Sequence, residues 1–262
     1  MSTRKPRVEI VASVQELAAR MVERFAYEAV QAVKTRGVFH TALSGGRTPG
    51  LFFQRLAVDP QAEVISWDKT HVFWVDERYV PKDSQDSNYR LAAETFLNKI
   101  RIPEDNVHRI PTEYSVMDDA VRAYVQTIRD VFGLQGGRMP QFDLIVLGMG
   151  SDGHTASLFP KSPLTYDADD LACVAVAGVG IRPQARRITL TPPVLLAARN
   201  LVVLVSGRDK ARTLNEVLYG KAEPTQYPIL ILRPVLDRVT WLVDRDAAAE
   251  MGDAEVYKRV NG

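Results

Sequence analysis

A predicted buried strand that runs straight into a glycine turn, residues 142–159 (FDLIVLGMGSDGHTASLF), constrains this fold more than any other stretch. The apolar run at 144–147 has the length and composition of a central strand in a parallel sheet. The glycines of GMGSDG then let the backbone turn sharply and approach another group closely. Asp152 and His154 fall on this turn, at the carboxyl end of the predicted strand. Open α/β sheets bind ligands at that end, so the turn is a candidate site.

The spacing of these glycines also matches G-x-G-x-x-G, the fingerprint of dinucleotide-binding folds. A dinucleotide would place its pyrophosphate against the turn, where the carboxylate of Asp152 would repel it. The fingerprint also requires an acidic residue at the end of the next strand and a long helix directly after the glycines. Here the nearby aspartates precede the next apolar run, residues 173–176, and Pro160 and Pro163 interrupt the helix. The sequence therefore argues against a nicotinamide or flavin site.

The His154 side chain is a candidate proton carrier. Imidazole gains and loses a proton near neutral pH, and a neighbouring carboxylate fixes its tautomer and stabilises its cation. An isolated histidine is more often a helix cap or a hydrogen-bonded loop residue. The position of His154 behind a central strand, with Asp152 nearby, favours catalysis instead. The other three histidines, His40, His71 and His108, lie at or beside predicted strands and are expected to be structural.

Composition restricts the partners and the cellular compartment. The chain has 262 residues, 46% of them hydrophobic, and no linker or repeat, so we expect a single domain over residues 1–262. A net charge of +1 predicts binding to neither nucleic acid nor an anionic membrane. The lone cysteine, Cys173, cannot form an internal disulfide and is expected in the core of a protein from a reducing compartment. Residues 1–7 lack a hydrophobic signal core, and no apolar stretch is long enough to span a bilayer, so we expect a cytoplasmic protein.

Strand and helix patterns alternate along the whole chain. Beyond the segment 142–147, strands are predicted at 8–12, 38–43, 70–75, 107–110, 172–177, 201–205 and 239–243. Helices are predicted at 15–34, 49–56, 88–97, 117–132, 193–198, 210–218 and 247–260, the first of them capped by Ser13 and ended by Gly37. This alternation predicts an α/β fold with one doubly wound, mostly parallel open sheet flanked by helices.

The segment 44–49 (SGGRTP) joins a predicted strand to a predicted helix. Thr48 suits the cap of that helix, and Pro49 suits its first position. The glycines would expose backbone N–H groups beside the positive end of the helix, which makes an anion cradle. An ordinary strand–turn–helix connection uses the same residue types, and the residues alone leave the two interpretations equally open. The candidate cradle residues are Ser44, Gly45, Gly46, Arg47 and Thr48.

Three further loops offer charged groups near strand ends. Residues 76–78 (DER) follow the strand at 70–75, and Arg78 there could clamp a carboxylate or stabilise an oxyanion. A solvated charge cluster is the alternative for that loop. Residues 186–189 and 206–210 add cations near two more strand ends. Since no His, Cys, Asp or Glu set shows the spacing of metal ligands, we expect no metal.

Together these loops resemble the 6-phosphogluconolactonase branch of the glucosamine-6-phosphate isomerase/6-phosphogluconolactonase family. The matching segments are SGGRTP at 44–49, DER at 76–78 with SN at 87–88, GMGSDGHTASLFP at 148–160, RITL at 187–190, and SG at 206–207 with Lys210. They occur in order across nearly the whole chain, from about residue 9 to residue 245. One departure, Lys161 in place of the Gly of many relatives, affects a loop and not the chemistry.

The resemblance implies a Rossmann-like fold of the NagB/RpiA type and a hydrolase without cofactor. The implied reaction is hydrolysis of 6-phospho-D-glucono-1,5-lactone to 6-phospho-D-gluconate in the oxidative pentose phosphate pathway. By the same resemblance, His154 is the general base for the attacking water, Asp152 supports it, and Arg78 faces the developing oxyanion. The phosphate would sit on the 44–46 turn, clamped by Arg187 and Lys210. Asp76, Arg47 and Thr48 complete the implied binding set of a monomer or small homo-oligomer.

Two other functions are consistent with parts of this pattern. Family members of the isomerase branch, which move protons between carbons and release ammonia, carry a Glu five residues after the histidine, where this chain has Phe159. A non-catalytic sugar-phosphate sensor would share the fold and the phosphate cradle. Such regulators need a DNA-reading segment, which the near-neutral charge and the short N-terminus do not offer. The presence of His154 also favours an enzyme.

Overall fold

Seven parallel strands form the main sheet, which a computed structural model describes over residues 6–161, 167, 170–176 and 184–252. The strands of the described chain are β1 (Arg7–Val11), β2 (Phe39–Leu43), β3 (Thr70–Trp74), β4 (Asp76–Arg78), β5 (Val107–His108), β6 (Leu144–Gly148), β7 (Ala172–Val176), β8 (Arg186–Leu190), β9 (Leu201–Val205) and β10 (Val239–Asp244). The helices are α1 (Val14–Arg36), α2 (Arg47–Leu56), α3 (Asn88–Thr95), α4 (Met117–Phe132), α5 (Pro192–Ala197) and α6 (Ala211–Tyr219). Most predicted elements are therefore present, with ends shifted by a few residues.

The main sheet has the order β1-β10-β9-β6-β2-β3-β5, and every pair in it is parallel. From β2 the chain builds outward through β3 to β5, and from β6 it builds outward in the other direction through β9 to β10. The winding direction therefore reverses between the neighbouring strands β2 and β6. Such a reversal opens a crevice at the carboxyl ends of the two strands. The predicted doubly wound, parallel open sheet is confirmed.

Local signals explain where the helices begin and end. Ser13 caps α1 by accepting a hydrogen bond from the Glu16 N–H, 3.2 Å away. Gly37 ends α1 in the left-handed conformation, with φ of 80° and its N–H donated to the Val33 carbonyl. Helix α1 buries one face, including Leu17, Met21 and Phe25, against the sheet and α2. These residues belong to one continuous hydrophobic core that contains most of the buried strand residues.

A second, three-stranded antiparallel sheet of order β4-β8-β7 was not predicted. The sequence pattern placed residues 172–177 in the main sheet and treated 186–190 only as a basic segment. Strand β8 begins with two charged residues, Arg186 and Arg187, unlike the apolar central strands of a parallel sheet. It pairs with β4 instead, with Arg78 opposite Arg187 and Asp76 opposite Thr189. The small sheet thereby carries two arginines to the mouth of the crevice.

Three other expectations were wrong. Helix α2 begins at Arg47, with Gly46 and not Thr48 at the cap, because Gly46 turns the chain early at φ of 111°. The predicted closing helix 247–260 is replaced by turns over 247–252. There the Asp244 carboxylate accepts a hydrogen bond from the Ala247 N–H. Residues 253–260 lie outside the described residues. Cys173 is half-buried in β7 and not in the core.

The described residues include no helix that is long and apolar enough to cross a bilayer.

Three histidines lie together on the neighbouring strands β2, β3 and β5. His71 Nδ1 and His108 Nε2 are 2.9 Å apart, and the His40 ring stacks on Phe132 with centroids 4.3 Å apart. Burial, and to a smaller extent the neighbouring His71, lower the pKa of His40 and of His108 to about 4. Burial also lowers the pKa of His71. These side chains are therefore neutral packing groups near neutral pH.

The histidine cluster predicts that stability is lost in mild acid. The unfolded chain binds protons on these imidazoles at about pH 6.5, whereas folded His40 and His108 bind them at about pH 4. Between these values the unfolded state holds more protons, so the free energy of unfolding falls as pH falls from about 6.5 to about 4. Urea unfolding across this window should show a shallower pH dependence for His40→Gln than for the wild type. An identical pH dependence of the free energy of unfolding for the two proteins would show that the pKa of His40 is the same in the folded and the unfolded state.

Candidate active site

A cavity of about 620 Å³ opens at the crevice between β2 and β6. It is bordered by the loops that follow β2, β6, β9 and β10 and by the small sheet. The predicted site residues that line it are Ser44, Gly45, Gly46, Arg47, Thr48, Asp76, Arg78, His154, Arg187 and Lys210. Asp152, the remaining predicted site residue, lies behind His154 and does not line the cavity. The carboxyl edge of the sheet thus brings together groups that are up to 166 positions apart in the 262-residue sequence.

The His154 imidazole is held by the Asp152 carboxylate. Asp152 Oδ1 lies 2.6 Å from His154 Nδ1 and also accepts the His154 backbone N–H at 3.1 Å. Burial opposes the ionisation of Asp152, but its bonds with His154 outweigh this and lower its pKa below the ordinary value. Because an ionised carboxylate only accepts hydrogen bonds, Nδ1 carries the proton and Nε2 keeps a lone pair. The histidine is thus prepared to accept a proton on Nε2.

The glycine turn after β6 fixes the position of this pair. The Gly150 N–H donates to the His154 carbonyl at 2.8 Å, so the turn closes on itself. A Cβ added at Gly150 would overlap the imidazole, which explains the glycine there. Gly153 adopts φ of 75°, and Ala156 takes φ of 52°, a conformation that is uncommon without glycine and that clusters at functional sites. Residues 151–161 form turns, so the long helix that a dinucleotide site requires is not formed here.

The SGGRTP segment presents the amino end of α2 to the cavity. No side chain caps this helix by a hydrogen bond, and its first residues line the cavity, an arrangement that is also found at anion sites. Ser44 Oγ is buried and has no hydrogen-bond partner within the described part of the chain. Thr48, predicted as the cap, instead bonds through Oγ1 to Ser206 Oγ at 2.6 Å. The Thr48–Ser206 bond ties this turn to the loop after β9.

The loop after β3 is buried, contrary to the alternative of a solvated charge cluster. Glu77 is only 2% exposed, and its carboxylate accepts hydrogen bonds from the Arg78, Asn88 and Tyr89 N–H groups and the Ser87 hydroxyl. Burial raises the pKa of Glu77, and these four donors oppose that rise. Glu77 therefore anchors the amino end of α3 and does not line the cavity. Its role is structural.

Asp76 and Arg78, on either side of Glu77, both line the cavity. Asp76 is 4% exposed and accepts a hydrogen bond from Ser157 Oγ at 2.6 Å. Arg78 Nη1 donates to the Asp86 carbonyl at 2.7 Å, while its Nε has no hydrogen-bond partner among the described residues. The Arg78 guanidinium therefore keeps donor capacity for a ligand.

Arg187 and Lys210 bring two more cations to the cavity. The Arg187 side chain is 4% exposed, and burial lowers its pKa while the nearby Asp76 carboxylate opposes the shift. Lys210 Nζ lies 3.1 Å from Asp209 Oδ2. An ammonium group has three donors, so this ion pair leaves capacity for a phosphate oxygen. Both side chains lie in a partly desolvated place, which strengthens the attraction of a cation for an anion.

Asn88 is a site residue to which the sequence assigned no role. Its Nδ2 donates to the Asp76 carbonyl at 2.8 Å, and its Oδ1 lies over Gly45, where a Cβ would overlap it. The sequence offers only a weak signal for this contact, since Asn88 reads as the first residue of a helix capped by Ser87. Within the described ranges, no group of three or more His, Cys, Asp or Glu side chains could hold a metal ion.

Comparison with known proteins identifies the family. The family model for glucosamine-6-phosphate isomerases/6-phosphogluconolactonase matches residues 12–241. The chain belongs to this family. Family members named 6-phosphogluconolactonase include one from a Synechocystis species, 37% identical over 94% of this chain and 98% of the relative. Another, from a Nostoc species, is 35% identical over 94% of this chain and 99% of its own length.

Solved structures of the family have the same fold. A 6-phosphogluconolactonase from Trypanosoma brucei matches with a TM-score of 0.84 at 30% identity, covering 95% of this chain and 99% of that one. A monomeric glucosamine-6-phosphate deaminase matches in fold alone, with a TM-score of 0.78 at 20% identity over 93% of this chain and 99% of that one. Both branches of the family thus share the scaffold, and the site residues must distinguish them.

The contact between Gly45 and Asn88 predicts that Gly45→Ala destabilises the protein. The backbone at Gly45 suits any residue, so the cost arises from the overlap of the new Cβ with Asn88. We expect a loss of about 1–3 kcal/mol in the free energy of unfolding, measured by urea denaturation. Gly148→Ala is the matched control, since a Cβ there meets no atom within 4 Å. Equal stability of the two variants would contradict the packing described here.

Proposed function

We propose that this protein is a 6-phosphogluconolactonase, which hydrolyses 6-phospho-D-glucono-1,5-lactone to 6-phospho-D-gluconate. The observation that carries the proposal is that one cavity holds both a carboxylate-supported histidine and an anion-binding turn with cations. The histidine suits proton transfer at the lactone carbonyl, and the turn suits the phosphate at the other end of the sugar. The names of the family relatives support the same substrate.

In the first step, His154 activates a water molecule. Nε2, the nitrogen that is not bonded to Asp152, accepts a proton while the water oxygen forms a bond to the lactone carbon. Asp152 then stabilises the imidazolium through the 2.6 Å contact with Nδ1. The electron pair of the carbonyl double bond moves onto the carbonyl oxygen, which becomes an oxyanion. Arg78 stays protonated and cannot act as a base, so its role is to stabilise this oxyanion.

In the second step, the tetrahedral intermediate collapses and the ring opens. The carbonyl re-forms as the bond between the carbon and the ring oxygen breaks. His154 returns its proton to the departing ring oxygen, which becomes a hydroxyl group, and the new carboxylic acid ionises in water. One histidine thus serves both steps, and no second proton-transfer carboxylate is needed. Phe159, which is 1% exposed, stands where the isomerase branch carries Glu. An apolar residue at this position is consistent with a reaction that needs only one proton carrier.

The proposal extends to the organisation of the protein. We propose that residues 1–262 form one domain, because a single hydrophobic core joins both sheets. We also propose a cytoplasmic location, which is consistent with a lone cysteine that cannot form an internal disulfide. The partner is a small phosphosugar lactone, and the assembly is a monomer or a small homo-oligomer. Sedimentation velocity tests the assembly, and a large ring or filament would contradict it.

A timed hydrolysis assay on freshly generated 6-phosphogluconolactone tests the proposed reaction. Because this lactone also opens without an enzyme, the uncatalysed rate is subtracted. The same preparation is assayed with glucosamine 6-phosphate for ammonia release. We expect lactone hydrolysis well above background and no deamination. Deamination without lactone hydrolysis would assign the protein to the isomerase branch, and no turnover of either compound would favour a sensor.

The phosphate clamp predicts a selective effect of Lys210→Ala on KM. A shielded, charge-assisted contact with phosphate contributes about 1.5–3 kcal/mol, so KM should rise roughly tenfold or more. Arg208→Ala removes the same charge two residues away, from an exposed side chain outside the cavity, and is the matched control. An unchanged KM for the Lys210 variant would remove Lys210 from the site.

The proton-transfer role predicts a loss of kcat in His154→Ala. We expect kcat to fall by about 10²–10⁴, the usual contribution of general acid–base catalysis, while KM changes little. His154→Gln keeps hydrogen bonding but cannot titrate, so it should be similarly impaired. The wild-type rate should also fall in acid, because a protonated imidazole cannot accept a second proton. Near-normal kcat in His154→Ala would make His154 structural and would turn attention to Asp76 as the base.

A further inference from the structure

Phe159 lies beneath two functional side chains at once. Its ring centroid is 5.0 Å from that of His154, with the planes inclined by 44°. The Arg187 Cζ atom lies 5.4 Å from the same ring centroid, in cation–π contact. Phe159 is 1% exposed and does not line the cavity. A single buried ring therefore supports both the proton carrier and one cation of the phosphate clamp.

The Arg187 guanidinium is charged and buried, so an aromatic ring beside it adds to its stabilisation. Burial lowers its pKa, and the neighbouring positive charge of Arg78 acts in the same direction. The Asp76 carboxylate opposes the shift, with Arg187 Nη1 3.9 Å from Asp76 Oδ2. The face of an aromatic ring attracts a cation through its quadrupole, and this attraction strengthens when water is excluded. The Phe159 ring supplies that stabilisation at this position.

The backbone around Phe159 holds the ring in place. Ser157 donates its hydroxyl to Asp76 at 2.6 Å, and its N–H donates to Thr189 Oγ1 at 3.3 Å. The Leu158 N–H donates to the Thr155 carbonyl at 2.9 Å, which closes the preceding turn. The segment is thus bonded to both β4 and β8. Since Arg187 lies on β8 and His154 on the same turn, the ring is fixed relative to both.

We propose that Phe159 is a positioning residue that orients Arg187 for the substrate phosphate while it braces the His154 imidazole. The inference rests on the proposed function and deepens it. It assigns to Phe159 a role in phosphate recognition. The ring thus does more than replace the Glu that the isomerase branch carries at this position. Loss of the aromatic face should weaken recognition of the phosphate specifically, whereas loss of the brace should affect all lactone substrates alike.

Phe159→Leu tests the proposal, because leucine stays apolar but has no aromatic face. Its kcat/KM is measured for 6-phosphogluconolactone and for glucono-1,5-lactone, which lacks the phosphate. Any effect through His154 reduces both values and cancels in their ratio. A cation–π contact contributes about 0.5–2 kcal/mol, so the preference for the phosphorylated lactone should fall roughly 2- to 30-fold. An unchanged preference would overturn the proposal.

A double-mutant cycle identifies the side chain through which Phe159 acts. In the Arg187→Ala background, Phe159→Leu should cause no further loss of phosphate preference, because its target is gone. Full additivity of the two losses would contradict the proposal. Phe142→Leu is the matched control, since Phe142 is equally buried but packs on Phe73 and Phe132. It should lower stability without changing the preference.

Two results separate this inference from the proposed function. A wild type that hydrolyses neither lactone would refute the proposed function itself. A wild type that prefers the phosphorylated lactone, with a preference that Arg187→Ala reduces and Phe159→Leu does not, would refute only the role of Phe159. Phe159→Met, which is also apolar and without a ring, replaces the leucine variant if that variant does not purify in folded form.

Discussion

The reversal of winding between β2 and β6 is the constraint on which the site depends. Parallel strands place all their carboxyl ends at one edge, and the loops of the two central strands leave that edge in opposite directions. One loop ends in the amino end of α2, and the other forms the turn that carries His154. The amino end of α2 and the His154 side chain, which we propose bind the phosphate and carry the proton, therefore line one crevice.

Buried polar contacts turn this crevice into a defined site. Asp76 holds Ser157 through its side chain and Asn88 through its carbonyl, so it connects the turn after β6 with the start of α3. Glu77 satisfies four donors around the same helix end. Burial of a carboxylate without hydrogen-bond donors is energetically unfavourable. With these donors, the carboxylates hold the neighbouring backbone in one arrangement. The small antiparallel sheet adds Arg187 to this arrangement, where the Asp76 carboxylate opposes the effect of burial on the Arg187 pKa and the Phe159 ring is in cation–π contact with the guanidinium.

Sequence reasoning predicted the main sheet, and most of the site residues that it named line one cavity. A short apolar run such as 144–147 is typical of a strand that is buried on both faces. Polar motifs that follow several predicted parallel strands indicate which loops lie together at the carboxyl edge of the sheet. It failed where tertiary contacts decide the outcome: β4 is too short to show a pattern, and β8 pairs with β4 and β7 in a sheet of its own. The positions of Asn88 and Phe159 depend on distant partners, so no local pattern could assign their roles. The cap of α2 was misplaced because Gly46, not Thr48, changes the chain direction.

We propose that one substrate spans the crevice, with its phosphate on the β2 side and its carbonyl carbon beside His154. A crystal structure with the product, 6-phosphogluconate, measures this directly. We predict that the phosphate accepts hydrogen bonds from the 44–46 turn, Arg187 and Lys210, and that the product carboxylate lies within hydrogen-bonding distance of His154 Nε2. A phosphate bound at His154, or a product bound outside the crevice, would contradict the account.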